Sequence, residues 1–135
     1  MQAAGVLTVF ESSERAEDVV NGLCRAGYDG ARLSVIGKDE HPIWTRLGRA
    51  LRGAALISMP LVGYAVALGP IATRLDANSS LVAVLMRAGM SAGASATYEA
   101  AVRGGQIVVL VHGTAKDVIK ARRVLRELQK SVHLQ

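Results

Sequence analysis

The uncharged segment between Arg52 and Arg74 limits the possible folds of this 135-residue chain more than any other feature. Its residues are mostly apolar, and Pro60 and Pro70 interrupt it. A straight helix through residues 53–73 would be about 31 Å long, which is enough to cross a bilayer. The segment therefore predicts either a membrane span or the buried middle of a folded assembly.

The residues before this segment predict a strand, a helix and a second strand. The sequences GVLTVFE (5–11) and ARLSVIGKD (31–39) are rich in residues that favour strands. Between them, apolar residues recur at helical spacing from Ala16 to Cys24, and Gly27 is expected to end the helix. The first part of the chain therefore predicts a strand-helix-strand unit.

The residues after the segment predict a helix, a third strand and a last helix. Ser91 is expected to cap a helix that ends near Arg103. The sequence QIVVLVHG (106–113) has an unbroken apolar run, which is typical of a strand buried on both faces. Thr114 and Asp117 have the spacing of a capping box at the start of the last helix.

A single membrane crossing would separate these strands. It would leave residues 106–113 on the opposite side from the first two strands, and Arg87 and Glu99 make a second crossing costly. We therefore expect residues 42–90 to form an apolar helical hairpin that returns to the side on which it began. Its first helix is expected to end or kink at Pro60, and its second segment to kink or open near Gly69 and Pro70.

The predicted fold is a single α+β domain over residues 1–135. We expect a small three-stranded, ferredoxin-like sheet, ordered β-α-β and then α-β-α along the chain, with its helices on one face. Residues 42–90 are expected to project from this sheet as the inserted helical hairpin.

The hairpin is predicted to be the surface through which the protein associates with itself. Its apolar surface exceeds what a three-stranded sheet could cover, so a homo-oligomer is expected to bury the remainder. A hairpin lying on an anionic membrane is the alternative, because Arg46, Arg49 and Arg52 stand beside the apolar residues. A small apolar ligand within the hairpin is a third possibility. The predicted contact residues are Trp44, Leu47, Leu51, Leu56, Ile57, Leu61, Val62, Tyr64, Val66 and Leu68.

The charge of the chain is unevenly distributed. Residues 1–40 contain four Lys or Arg against seven Asp or Glu, a net charge of −3, whereas residues 41–135 contain twelve against four, a net charge of +8. This difference in charge between the two parts of the chain favours self-association or contact with an anionic surface. Basic residues on the last helix could contact phosphates, but no strand carries the interleaved aromatic residues that stack bases. Nucleic-acid binding is therefore the less favoured alternative.

No arrangement of residues predicts catalysis, a cofactor or a metal. His41, His112 and His133 lie far apart and lack the spacing of metal ligands. No nucleophile elbow, phosphate-binding loop or dinucleotide fingerprint occurs. The single cysteine, Cys24, cannot form an intrachain disulfide and is expected to be a buried structural thiol. Because no catalytic motif occurs, we expect that the protein is not an enzyme. The first residues lack the basic start of a secretory signal, which favours a cytoplasmic location.

The order of these elements resembles the general stress protein 17M-like family, whose heat-induced YflT-type domain has a glycine- and alanine-rich apolar insertion. The resemblance rests on the sequences SVIGKD (34–39) and YEAAVRGGQIVVLVHG (98–113), and on two motifs in the insertion, PLVG (60–63) and ALGP (67–70). The insertion is less glycine-rich than is usual in that family, and AGASAT (92–97) stands where relatives often have several acids. The resemblance implies a stress-associated bacterial protein with no established catalytic residues.

Overall fold

The structure is a computed structural model, and it describes residues 3–10, 13–28, 32–38, 44–51, 54–59, 63–74 and 80–133. Five strands form one sheet. They are β1 (Ala3–Phe10), β2 (Leu33–Lys38), β3 (Ala54–Met59), β4 (Gly63–Leu68) and β5 (Ile107–Gly113). Five α-helices and one 3₁₀ helix accompany them: α1 (Ser13–Arg25), α2 (Trp44–Ala50), the 3₁₀ helix (Pro70–Arg74), α3 (Leu81–Arg87), α4 (Ala92–Arg103) and α5 (Ala115–His133).

The strands follow the order β1-β5-β2-β4-β3, and every neighbouring pair is antiparallel. The two halves of the chain therefore share one sheet, because β5 lies between β1 and β2. The prediction of an α+β fold is confirmed. So is the prediction that the strand at residues 106–113 is buried on both faces, since all seven residues of β5 are buried.

The predicted three-stranded sheet is wrong, because the insertion itself supplies two further strands. β3 and β4 pair as an antiparallel hairpin, in which Met59 pairs with Gly63 and Ala54 pairs with Leu68. β4 then pairs with the free edge of β2, which would otherwise leave a row of backbone groups without partners. Pairing in the sheet thus outweighs the helical preference of the many alanines in this segment.

The predicted helical hairpin is correspondingly wrong, although helices flank the strands. The helix expected before Pro60 forms only over α2, and a further helix, α3, begins at Leu81. The run of apolar residues between them is divided near Pro60 into two six-residue strands. Strands of six residues are of ordinary length, whereas a helix of six residues would be short.

Helices cover both faces of the sheet, so the predicted placement of all helices on one face is wrong and the ferredoxin-like arrangement is not confirmed. Alternate residues of a strand face opposite sides. On β5, Val109 and Val111 pack in a core with residues of α1, α2 and α5. Val108 and Leu110 pack in a second core with residues of α3, α4 and the 3₁₀ helix.

Hydrogen bonds confirm the predicted helix ends. Ser91 caps α4 by accepting a hydrogen bond from the backbone N–H of Ala94, at 3.1 Å. Thr114 and Asp117 form a reciprocal capping box: the Asp117 carboxylate accepts from the Thr114 N–H at 2.8 Å, and the Thr114 hydroxyl accepts from the Asp117 N–H at 3.3 Å. Gly27 follows α1 with a φ of 106°, a conformation that glycine adopts without a steric penalty.

Candidate functional site

The most exposed large apolar residues of the insertion lie together on one face of the hairpin. Leu56 on β3 is 64% exposed, and Tyr64 on β4 is 53% exposed. Leu56 is paired with Val66 and Ser58 with Tyr64, so Leu56 and Tyr64 are diagonal neighbours on the same face, about 7 Å apart. We call Leu56, Tyr64 and the half-buried Val66 the hairpin patch.

The hairpin patch adjoins an open edge of the sheet. β3 is the last strand in the order, and no described residue pairs with it on its outer side. Its sequence, AALISM, contains no charged residue and no proline. Natural edge strands usually carry such residues because they prevent pairing with another chain. The outer edge of β3 is thus chemically suited to pair with a further strand.

The ten predicted contact residues are divided between this surface and the interior. Leu56 and Tyr64 are exposed, and Trp44 and Val66 are half-buried. The indole N–H of Trp44 donates to the carbonyl oxygen of Lys38, at 2.9 Å, and this bond fixes α2 beside β2. The remaining positions are either buried in the cores of the chain itself (Leu47, Leu51, Ile57 and Leu68) or outside the described residues (Leu61 and Val62).

A buried pair of polar side chains, which sequence reasoning did not find, joins the two central strands. The Oγ of Ser34 on β2 lies 2.7 Å from the Nε2 of His112 on β5. The backbone N–H of Ile71, in the 3₁₀ helix, donates to the same Oγ at 3.0 Å. One hydroxyl therefore connects β2, β5 and the segment that follows the hairpin.

The chemistry of this pair fits a structural link better than a nucleophile. Ser34 Oγ accepts the Ile71 N–H and keeps its proton and a second lone pair, so it donates to His112 Nε2 or accepts from it according to the tautomer of the imidazole. A nucleophilic serine needs room for a substrate beside its oxygen, whereas the Ser34 side chain is 0% exposed. The one indication in the sequence is a serine among the apolar residues Leu33, Val35 and Ile36. The two residues stand 78 positions apart, so the sequence does not show that they meet.

A second buried serine has a different environment. Ser95, near the start of α4, is 0% exposed, and its Oγ has no hydrogen-bond partner among the described residues. A buried hydroxyl without a partner lowers stability by about 1–3 kcal/mol. The buried hydroxyl of Ser34 thus has hydrogen-bond partners, whereas that of Ser95 has none among the described residues.

Two of the described groups have shifted pKa values: Tyr28, which follows α1, and Asp117, in the first turn of α5. Burial raises the pKa of the Tyr28 phenol, and the negative charge of Asp117 raises it further, while Arg32 acts in the opposite direction. Hydrogen bonds from the backbone and the hydroxyl of Thr114 lower the pKa of Asp117. These shifts follow from the capping box and from packing against it, so they do not mark a reactive centre.

The outer face of α5 is basic and exposed. Lys116, Lys120, Arg123 and Arg126 are exposed on it, and Ile119 among them is 57% exposed. This face carries the predicted alternative of contact with an anionic polymer or surface.

The described part of the chain contains no group of three or more His, Cys, Asp or Glu residues that could hold a metal ion. In the same residues, no helix combines the length and the apolar character needed to cross a membrane. Cys24 is half-buried at the edge of the core with α1, α2 and α5.

Comparison of the chain with protein-family models, with curated proteins and with solved structures finds no match.

Proposed function

We propose that this protein is a non-catalytic interaction protein that self-associates through the β3–β4 hairpin. One observation carries the proposal. Leu56 is exposed on the edge strand β3, which has no charged residue and no proline, and its diagonal neighbour Tyr64 on β4 is exposed on the same face. Exposed apolar patches of this kind favour protein contacts, and an unprotected strand edge adds unpaired hydrogen-bonding groups. The sequence resemblance supports the further proposal that this association serves a cytoplasmic, stress-associated bacterial role.

The structure gives less support to a membrane-bound hairpin. That alternative depends on positive charges beside the apolar residues, and the Arg46 side chain is already paired with Glu17, with Nε 2.6 Å from Oε2. Tyr64 and Leu56 form a small surface on a strand pair, not the long apolar face of an interfacial helix. The basic face of α5 keeps an anionic partner as the second candidate, to be separated by the effect of salt.

Replacing Leu56 with aspartate is expected to weaken self-association at least about a hundredfold. At a position that is 64% exposed, the carboxylate stays hydrated in the monomer, so folding should be nearly unchanged. In the associated state the same carboxylate would lose its water without gaining a partner. Light scattering of the eluted peak, over a range of protein concentrations, measures the effect.

The matched control is Ile119→Asp, which places the same charge at a similarly exposed apolar residue on α5. It should associate like the unmodified protein. Equal association of Leu56→Asp and the unmodified protein, or equal weakening by both substitutions, would contradict the proposed surface.

The effect of salt separates self-association from binding to an anionic partner. The chain has a net charge of +5, so two copies repel one another, and salt should leave self-association unchanged or strengthen it. Contacts with phosphates weaken steeply as salt rises from about 50 mM to about 200 mM. Dimer formation and retention on RNA or on anionic vesicles should be measured across this range. Tight retention that salt abolishes, without any self-association, would favour the basic face of α5 instead.

A further inference from the structure

We propose that two copies of the chain associate edge to edge, with β3 of one antiparallel to β3 of the other, so that two five-stranded sheets become one continuous sheet. This inference rests on the proposed self-association and specifies its geometry. The starting point is the backbone of β3, which pairs with β4 on one side and with no described strand on the other. Alternate N–H and C=O groups on the outer side therefore have no partner strand among the described residues, and an extended strand supplies partners in the right order.

The sequence of β3 favours a second copy as that strand. In a two-fold antiparallel pair, AALISM meets itself, so no like charges face each other and no proline removes a donor. Leu56 and Tyr64 would be covered at the same time, because they lie on one face beside the junction. A charged peptide partner would find no complementary charge on β3.

The other edge strand of the sheet, β1, also has no charged residue and no proline, so the choice of β3 rests on the exposed Leu56 and Tyr64 beside it. Pairing of β1 with β3 of the next copy would be heterologous and would continue into a ring or an open filament. Pairing of β3 with β3 is isologous and closes at two copies. A dimer of defined mass is therefore the expected assembly.

The two-fold axis restricts the register of the pair. In an antiparallel pair, directly opposite residues point to the same face of the sheet. When the two strands are identical and related by a two-fold axis, this condition holds only if one residue lies opposite the same residue of the partner subunit. Leu56 and Ile57 are the two central candidates. Ile57 is already buried in its own chain, whereas Leu56 is the most exposed large apolar residue of the chain's described surface. We therefore place Leu56 opposite Leu56 of the partner subunit, with the Cα atoms about 4.5–5.5 Å apart.

Such an interface is small. One pair of six-residue strands with a few apolar side chains falls at the low end of specific interfaces, where association is weak and reversible. The dimer should accordingly dissociate on dilution, with a dissociation constant of about 1 μM or weaker.

Amide hydrogen exchange tests the strand pairing directly. On raising the protein concentration above the dissociation constant, alternate amides of β3 should exchange at least about threefold more slowly, because only the monomer exposes them. The amides of β1 should not change, and Leu56→Asp should abolish the slowing.

Disulfide trapping tests the register. In a Cys24→Ser background, Leu56→Cys should cross-link two chains under mild oxidation, because the expected Cα separation suits a disulfide. Ile119→Cys, which is similarly exposed but lies on α5, should cross-link far more slowly. Equal rates for the two variants would overturn the register.

The outcomes distinguish this inference from the proposed function. A dimer that Leu56→Asp disrupts, but whose β3 amides exchange as fast as in the monomer, would overturn strand pairing and leave self-association standing. Assemblies whose mass keeps rising with concentration, or slowed exchange in β1, would overturn the two-fold pair. A monomer at every concentration would overturn both proposals.

Discussion

Replacing Gly69 with alanine is expected to lower the free energy of unfolding by about 4 kcal/mol. Gly69 follows β4 with a φ of +91°, which L side chains rarely adopt. A Cβ at this position would overlap the carbonyl oxygen of Leu33 and lie 2.9 Å from the Cα of Ser34. Both neighbours are backbone atoms of the central strand β2, so the chain could accommodate the methyl group only by moving the sheet or the start of the 3₁₀ helix.

Urea unfolding, with the midpoint and slope compared between variants, measures this loss. Gly93→Ala is the matched control, because Gly93 lies in α4 and a Cβ there would meet no atom within 4 Å. That substitution should raise stability by about 0.5–1 kcal/mol, as alanine restricts the unfolded chain. A small loss for Gly69→Ala, close to that of an ordinary surface substitution, would show that the backbones of β2 and the 3₁₀ helix do not approach as described.

Replacing Ser34 with alanine is expected to lower the free energy of unfolding by about 3 kcal/mol. The substitution leaves the buried N–H of Ile71 without its acceptor and removes the Oγ that lies 2.7 Å from His112 Nε2. Each buried polar group that loses its partner in this way keeps its desolvation penalty. Thermal or urea unfolding measures the loss, and chemical shifts of the His112 ring report whether its hydrogen bonding has changed.

Ser95→Ala is expected to have the opposite effect, a gain of about 1 kcal/mol. Both serines are fully buried, but the Ser95 Oγ has no partner among the described residues, so removing it relieves a penalty and breaks no bond. The same chemical change should thus destabilise at one position and stabilise at the other. Equal losses at both positions would contradict the hydrogen bonding of Ser34 and Ser95.

The elements before and after the insertion could be predicted from the sequence because the patterns that indicate them are local. The capping serine Ser91, the capping box of Thr114 and Asp117, and the unbroken apolar run of β5 each act within a few residues. Helical periodicity also indicates the buried face of α1 without knowledge of its neighbours.

The hairpin could not be predicted in the same way because its conformation depends on a distant strand. Alanine and leucine are abundant in residues 54–68 and favour a helix locally. The edge of β2 requires a partner, and β4 supplies it through pairs such as Ile36 with Ala67. The best local indication of a turn was Pro60 followed by Gly63, which divides the run into two segments of strand length.

The candidate surface was predicted in part. Leu56 and Tyr64 were among the predicted contact residues, but residues such as Ile57 and Leu68 serve the chain's own cores. In a helix, the neighbours Leu56 and Ile57 could both lie on the apolar face. In the hairpin, successive side chains point to opposite faces of the sheet, so Leu56 is exposed and Ile57 is buried. The pairing of Ser34 with His112 could not be predicted from the sequence, since only the sheet brings the two residues together.

The molar mass of the purified protein in solution, measured by light scattering or sedimentation from about 1 μM to about 500 μM, tests self-association most directly. We predict a reversible shift from monomer to dimer across this range, with no larger species, and its loss in Leu56→Asp. A constant monomer mass up to the highest concentration would contradict the proposal.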